Sequence, residues 1–314
     1  MQELISGLHH VTALAGNPQK NIDFYAGILG LKMIKKTINF DAPDVYHLYY
    51  GDEVGNPGTI MTFFPYQDIP KGRKGAGQLT YTAFSIPVSA LGFWLDRLQT
   101  YQIAYTMPQK RFDETYIQFE DFDGLGVELV VTEHDKRVGR ASGTIPAEMA
   151  IKGFYTVTLH EYSIDRTVKL LTETMQHKLV AEENGRLRFE SGSGGAGSYT
   201  DVLYTTDSVR SLQGAGTVHH VAFATQTDDT QLLIRENLLS SGYQVTPVID
   251  RNYFHSIYFR EPGNILFEIA TNPPGFAVDE PLEQLGSRLK LPAWYEPKRD
   301  LIEKGLMPVE VNYF

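Results

Sequence analysis

The feature that most constrains this chain is a weak pattern repeated four times along it. Short runs of strand-like residues open each repeat, at Leu8–Leu14, Leu79–Ile86, Gly153–Leu159 and Val218–Thr225. A helical stretch with a polar start follows each one. Asn17-Pro18 offers a cap and a first-turn proline, and Ser89, Ser163 and Asp228 are the expected caps of the other three. Gly30 and Gly242 stand where a left-handed helix end is expected. Three segments rich in β-branched and aromatic residues complete each unit, closing on TIMTFF, GVELVVT, DVLYTT and NILFEIAT. The order strand, helix, three strands recurs near residues 7–65, 78–133, 152–206 and 217–272. Its spacing is nearly constant: 47 positions separate Tyr81 from Glu128, and 48 separate His220 from Glu268. Such regularity predicts a repeat-built fold. From Asn272 the chain carries six prolines and reads as a wrapping extension. Residues 1–135 and 150–272 are thus expected as two module pairs, with 273–314 as the tail.

Composition narrows the function. With 42% hydrophobic and 21% charged residues, the 314-residue chain is globular. Twenty-eight Lys and Arg against 38 Asp and Glu give −10, a poor balance for gripping a phosphate backbone, so no nucleic-acid partner is expected. No apolar run reaches the roughly 18 residues of a membrane span. Met1-Gln2-Glu3-Leu4 lacks the start of a secretion signal, and a cytoplasmic location is the expectation. Cysteine is absent, which removes thiolate ligands and cysteine nucleophiles. The glycine-rich SGSGGAGS at 191–198 lacks the Gly-Lys-Ser/Thr of a phosphate loop and reads as a hairpin turn.

Chemistry concentrates in two histidine pairs among nine histidines. His9-His10 and His219-His220 both lie on the first strand of a repeat, the first and the fourth. Strand neighbours face opposite sides, so one member of each pair is expected to point into a given cavity. Glu268, flanked by Ile265, Leu266, Phe267 and Ile269, is costly to bury unless paired or metal-bound. Two imidazoles and a carboxylate suit Fe(II), leaving open positions for substrate and oxygen; Mn(II) fits the same set, and catalytic zinc is more often four-coordinate. Repeats two and three carry Tyr81 and Tyr155 at the matching places.

The four modules, the HHV openings and the GNILFE close resemble the glyoxalase / vicinal oxygen chelate superfamily over about residues 5–272. The implied fold is α+β, four βαβββ modules pairing into two cup-shaped mixed sheets with a C-terminal extension. Two-domain extradiol dioxygenases of that superfamily draw all three ligands from the C-terminal module pair. Here Tyr155 stands in one of those places, and repeat one supplies the histidine. That departure, with IDFYAGILGLKMIKKTINFD and DRNYFHSIYFREPGNILFEIATNPPGF, resembles the hydroquinone-cleaving ring dioxygenases. The resemblance implies His10, His220 and Glu268 as metal ligands, with His9 and His219 facing away or reaching the cavity from its rim. It also implies roles near the substrate for His219, Tyr258, Arg251, His9 and Thr12. Arg251 and Tyr258 have opposite strand parity and can share the site only if a turn or bulge intervenes near Asn252. His255 is expected near the pocket, and His47, His134, His160 and His177 as surface or packing residues. The implied activity is an Fe(II)-dependent, ring-cleaving dioxygenase using a small aromatic diol and O2, with both oxygen atoms retained in the product. The alternatives are a glyoxalase-like isomerase or lyase using Zn, Ni or Co, and a non-catalytic aromatic-ligand binder; a homo-oligomer is compatible with each. Modules one and four must form one cup if their ligands are to meet. The other cup, with Tyr81, Tyr155, Glu128 and Leu203 or Tyr204, is expected to be metal-free and filled by aromatic side chains.

Overall fold

A computed structural model describes residues 3–205 and 209–314. Module one contributes β1 (Gly7–Ala15), β2 (Lys32–Asn39), β3 (Ala42–Gly51) and β4 (Ile60–Pro65). Module two contributes β5 (Gln78–Ile86), β6 (Gln109–Arg111), β7 (Glu114–Glu120) and β8 (Gly126–Val131). In module three lie β9 (Gly153–Glu161), β10 (Lys178–Glu183), β11 (Arg186–Glu190) and β12 (Tyr199–Tyr204). Module four carries β13 (Thr217–Thr225), β14 (Ile249–Asp250), β15 (Phe254–Arg260) and β16 (Leu266–Pro274). The helices between first and second strands are α1 (Pro18–Ile22), α2 (Leu91–Thr100), α3 (Asp165–Lys169) and α4 (Asp228–Ser240), and α1 and α3 each run on into a wider π turn.

Two curled mixed sheets result, ordered β14-β15-β16-β13-β1-β4-β3-β2 and β10-β11-β12-β9-β5-β8-β7-β6. Modules one and four share the first, and modules two and three the second. Each sheet is sewn together by an antiparallel pair of module-opening strands, β1 with β13 and β5 with β9. Apolar alternation drives this assembly: Val11, Phe63, Phe84, Val157, Phe223 and Phe267 are among many residues fully buried in one extended core. Asn17 caps α1 by accepting from the Lys20 N–H at 3.0 Å. For α4 the cap is Thr227, one residue before the expected Asp228, because its hydroxyl and that of Thr230 close a reciprocal box. Neither Ser89 nor Ser163 caps a helix; Ala90 and Ile164 precede α2 and α3. Gly30 and Gly242 do adopt positive φ, +71° and +87°.

The tail straps module one. Lys35, fully buried on β2, is held by Asp279 and Glu280 at 2.5 Å each. Tyr295 donates to the Phe40 carbonyl at 3.0 Å, Trp294 packs on the Phe40 ring, and α5 (Arg299–Gly305) closes the chain's last turn. Among the described residues, no helix is long and apolar enough to cross a membrane.

Candidate metal centre

The β1–β13 ladder decides which side chains meet. Its register skips His9 on β1 and His219 on β13, so each is the extra residue of a β-bulge. Strict alternation would send the two members of each pair to opposite faces. The bulges instead swing each neighbour alongside its partner, with His9 Nδ1 2.9 Å from His10 Nδ1 and His219 Nδ1 2.8 Å from His220 Nδ1. That corrects the expectation that strand parity separates them. His10 and His220, 210 positions apart, bring their Nε2 atoms to 3.2 Å. Glu268 on β16 points its Oε2 at both, 2.9 Å from His220 and 3.3 Å from His10. All three side chains are buried.

This donor set fits a divalent ion. Donors roughly 2.1 Å from one cation lie about 3.0 Å apart at right angles and about 3.4 Å apart in a tetrahedron, close to the spacings seen. Burial works to raise the Glu268 pKa, yet the His10 and His220 imidazoles hold it well below the ordinary carboxylate value. Ser256 donates to its Oε1 at 2.5 Å, while the buried Oε2 has no hydrogen-bond donor among the described residues. Burial, followed by the neighbouring ligand histidine, pushes His9 and His219 down to about 3, so both are neutral at pH 7. A neutral His9 or His219 can accept the Nδ1 proton of its neighbour, which leaves the Nε2 lone pairs of His10 and His220 free for an ion.

An aromatic-walled cavity of about 400 Å³ adjoins the triad, lined by His10, His220, Phe40, Tyr49, Phe64 and Phe254 among others. Arg251 and Tyr258 both line it, because a turn with Asn252 at φ +69° separates β14 from β15 and reverses the chain between them. Arg251 Nε donates to the Tyr258 hydroxyl at 3.2 Å and its Nη1 pairs with Asp41 at 3.1 Å. Burial raises the Tyr258 pKa, and its phenol stays protonated. His219 also lines the cavity. His9 does not reach it; the ring lies buried behind His10 against Phe254, 5.0 Å between centroids. Thr12 is fully buried and bonds to Thr62 at 2.9 Å, a layer back from the ligands.

His47 is the residue that sequence reasoning missed. It lines the cavity from β3, with its ring nitrogens 2.8 Å from the Tyr49 hydroxyl and 2.8 Å from Thr62 Oγ1. The spacing of His47 and Tyr49, two apart on a strand, puts them on one face and was the available signal. His255 turns away to pair with Asp228 at 2.7 Å, His134 is exposed, and His177 is buried.

The second cup follows the same ladder with other residues. Thr12 pairs with His220 in one sheet and Ala83 with Thr156 in the other, so Thr156, not Tyr155, matches the ligand position. Tyr155 occupies the bulge, as His219 does. Ala222 faces Glu268, and Thr158 faces Asp201, so Asp201 takes the place expected for Leu203 or Tyr204. Nor is the cup filled by aromatics alone. Arg111 grips the buried Glu128 through both oxygens at 3.1 and 2.7 Å, and Arg188 grips the buried Asp201 at 2.7 and 2.9 Å. Glu114 bonds both Arg188 and the Tyr155 hydroxyl. Guanidinium groups supply the positive charge that balances these buried carboxylates.

The model of the Glyoxalase/Bleomycin resistance protein/Dioxygenase superfamily matches residues 7–129. A Bacillus subtilis (strain 168) protein named "Putative ring-cleaving dioxygenase MhqO" is 47% identical over 99% of both chains. The chain belongs to this superfamily. Chlorohydroquinone/hydroquinone 1,2-dioxygenase of Sphingobium indicum is 33% identical over 96% of this chain and 95% of its own. The crystal structure of a "putative dioxygenase" from Bacillus subtilis subsp. subtilis str. 168 superposes with a TM-score of 0.96 at 46% identity, covering 100% of each chain. With such relatives along its whole length, the chain is an enzyme of the dioxygenase kind.

Proposed function

We propose that the protein is a non-haem Fe(II)-dependent dioxygenase that cleaves the ring of a hydroquinone-type aromatic diol. The observation that carries this reading is the convergence of two imidazoles and one buried carboxylate beside an aromatic-walled cavity. Two histidines and a carboxylate with open positions form the donor set typical of oxygen-activating Fe(II), and Mn(II) fits the same donors. Relatives named for ring cleavage and for hydroquinones support the substrate class.

His10, His220 and Glu268 would hold the ion, which when bound supplies acidity to a coordinated hydroxyl and a meeting place for diol and O2. The chain's own residues do the rest. Phe64, Phe254 and Tyr49 form apolar walls that seat a ring face and exclude water. His219, whose Nδ1 accepts from His220, presents its Nε2–H to the cavity as a hydrogen-bond donor to a substrate oxygen. Tyr258 keeps its proton and donates a hydrogen bond toward a substrate oxygen, while Arg251 fixes the direction of that phenol. His9 locks the ring of His10 from behind.

The test is oxygen uptake by anaerobically purified, Fe(II)-loaded protein with methylhydroquinone, chlorohydroquinone and catechol in parallel. Uptake is expected with the two hydroquinones. Turnover under strict anaerobiosis, or full activity with zinc, overturns the assignment in favour of a metal-dependent isomerase.

A further inference from the structure

His219 stands at the junction of three spaces. On one side is the metal cavity; on a second is an outer vestibule of about 810 Å³, and on a third a polar annex of about 170 Å³. The vestibule shares Tyr66 and His219 with the metal cavity, and the annex shares His219 and Leu266 with it. Their charges are opposite. Asp44 and Asp68 are the charged residues of the vestibule, whereas Arg210 and Arg260 are those of the annex.

Neither arginine has a carboxylate partner among the described residues. Arg260 Nη1 donates to the Asn264 carbonyl at 2.8 Å, which fixes its stem and leaves other guanidinium N–H groups unspent. Arg260 also lies close enough to His219 to disfavour protonation of that ring. Arg210 sits on a braced crossing, where its carbonyl accepts from Arg73 Nε and Nη2 at 3.2 and 3.0 Å and the next residue's N–H bonds the Ala76 carbonyl. Gln78, Ser211 and Asn264 complete a lining rich in donors. Two guanidinium groups without a carboxylate partner among the described residues thus share one small polar recess, in a chain of net charge −10. They offer the paired donors that suit a carboxylate.

The geometry points to the annex as a carboxylate-binding site that receives the acid end of the opened ring. The chemical identity of that ligand rests on the ring-cleaving reading. Breaking the bond between the hydroxyl-bearing carbon and its neighbour, with one atom of O2 added to each, gives a carboxylic acid and an aldehyde. No further oxidant or reductant is needed, and the acid loses one proton to water at neutral pH. A neutral diol thus passes the acidic vestibule unopposed, and the anion formed from it is drawn past His219 toward the arginines.

The experiment measures binding of cis,cis-muconate, a six-carbon dicarboxylate with the skeleton of an opened ring, to the metal-loaded protein by calorimetry without turnover. Arg260→Gln and Arg210→Gln, both at exposed positions, should each weaken it about tenfold, as expected for a lost charge-assisted hydrogen bond. The Michaelis constant for methylhydroquinone should stay within about twofold of the parent value, and the dimethyl ester of muconate should not bind. Muconate affinity unchanged in both variants, or dependent on Arg251 alone, overturns the proposal. Arginine-dependent muconate binding in a protein that consumes no oxygen with any diol would uphold the anion site and sink the dioxygenase reading instead.

Discussion

Replacing Arg111 with Met should destabilise the protein far from the metal without touching the chemistry. Arg111 is 5% exposed and Glu128 fully buried, and among the described residues Gln118, at 2.8 Å, is the one further donor to Glu128. Arg111 Nε also lies 3.7 Å from Glu114 and 4.0 Å from Asp201. Its loss strands a buried carboxylate beside two others, and breaking a buried pair from one side costs about 3–5 kcal/mol. For a chain of this size each kcal/mol lowers Tm by about 2 °C, so a fall of about 6–10 °C is expected by differential scanning calorimetry. Adding Glu128→Leu to Arg111→Met should restore much of it, since the apolar pair leaves no uncompensated charge. Metal content should remain one ion per chain in all three proteins. A fall below about 1 kcal/mol in the single variant would refute the view that these ion pairs hold the second cup together. Close to two ions per chain in the parent would refute the view that arginine has replaced metal there.

Three further outcomes follow from the same contacts. His9→Phe, which keeps the packing on Phe254 but removes the Nδ1 acceptor, should weaken metal affinity about 10- to 100-fold in a competition titration, with little loss of secondary structure. Arg251→Lys should keep metal content and lower kcat/KM, because an ammonium cannot bond Tyr258 and Asp41 in the same fork. Glu161, buried beside Glu261, has its pKa pushed up to about 9 by burial and by that neighbour. The folded protein therefore keeps this proton where the unfolded chain has lost it, and stability falls as pH rises from about 4.5 toward 9. Glu161→Gln should raise Tm relative to the parent at pH 8 and not at pH 5, and an equal difference at both pH values would contradict that linkage.

The four modules and the three converging donors were legible in the sequence because both are written in local patterns. Helical stretches recur between β-branched runs, and an isolated Glu268 in ILFEIA has few inexpensive fates when buried. Pairing of modules one and four was legible only through the ligands themselves. What stayed hidden depends on tertiary register. A bulge leaves no reliable mark in a single strand, so His9 and His219 looked as though parity would separate them. The same one-residue ambiguity put Tyr155 where Thr156 belongs, and the register of β12 on β9 sets Asp201 in the place given to Leu203 or Tyr204, two or three residues on. Nothing local in the sequence marks Arg111, Arg186 and Arg188, because only the curl of the sheet brings them inward to carboxylates from other strands. His47 was passed over because its partners, a tyrosine two residues on and a threonine on the next strand, are neither histidines nor carboxylates.

The central claim is that one ion held by His10, His220 and Glu268 lets this chain open an aromatic ring with both atoms of O2. Mass spectrometry of the methylhydroquinone product formed under ¹⁸O₂ tests it most directly, with Glu268→Gln as the parallel control. Two labelled oxygen atoms in a ring-opened acid, and no product or bound ion from Glu268→Gln, are the predicted result. An unlabelled product, or labelled product formed equally well by Glu268→Gln, would contradict the account.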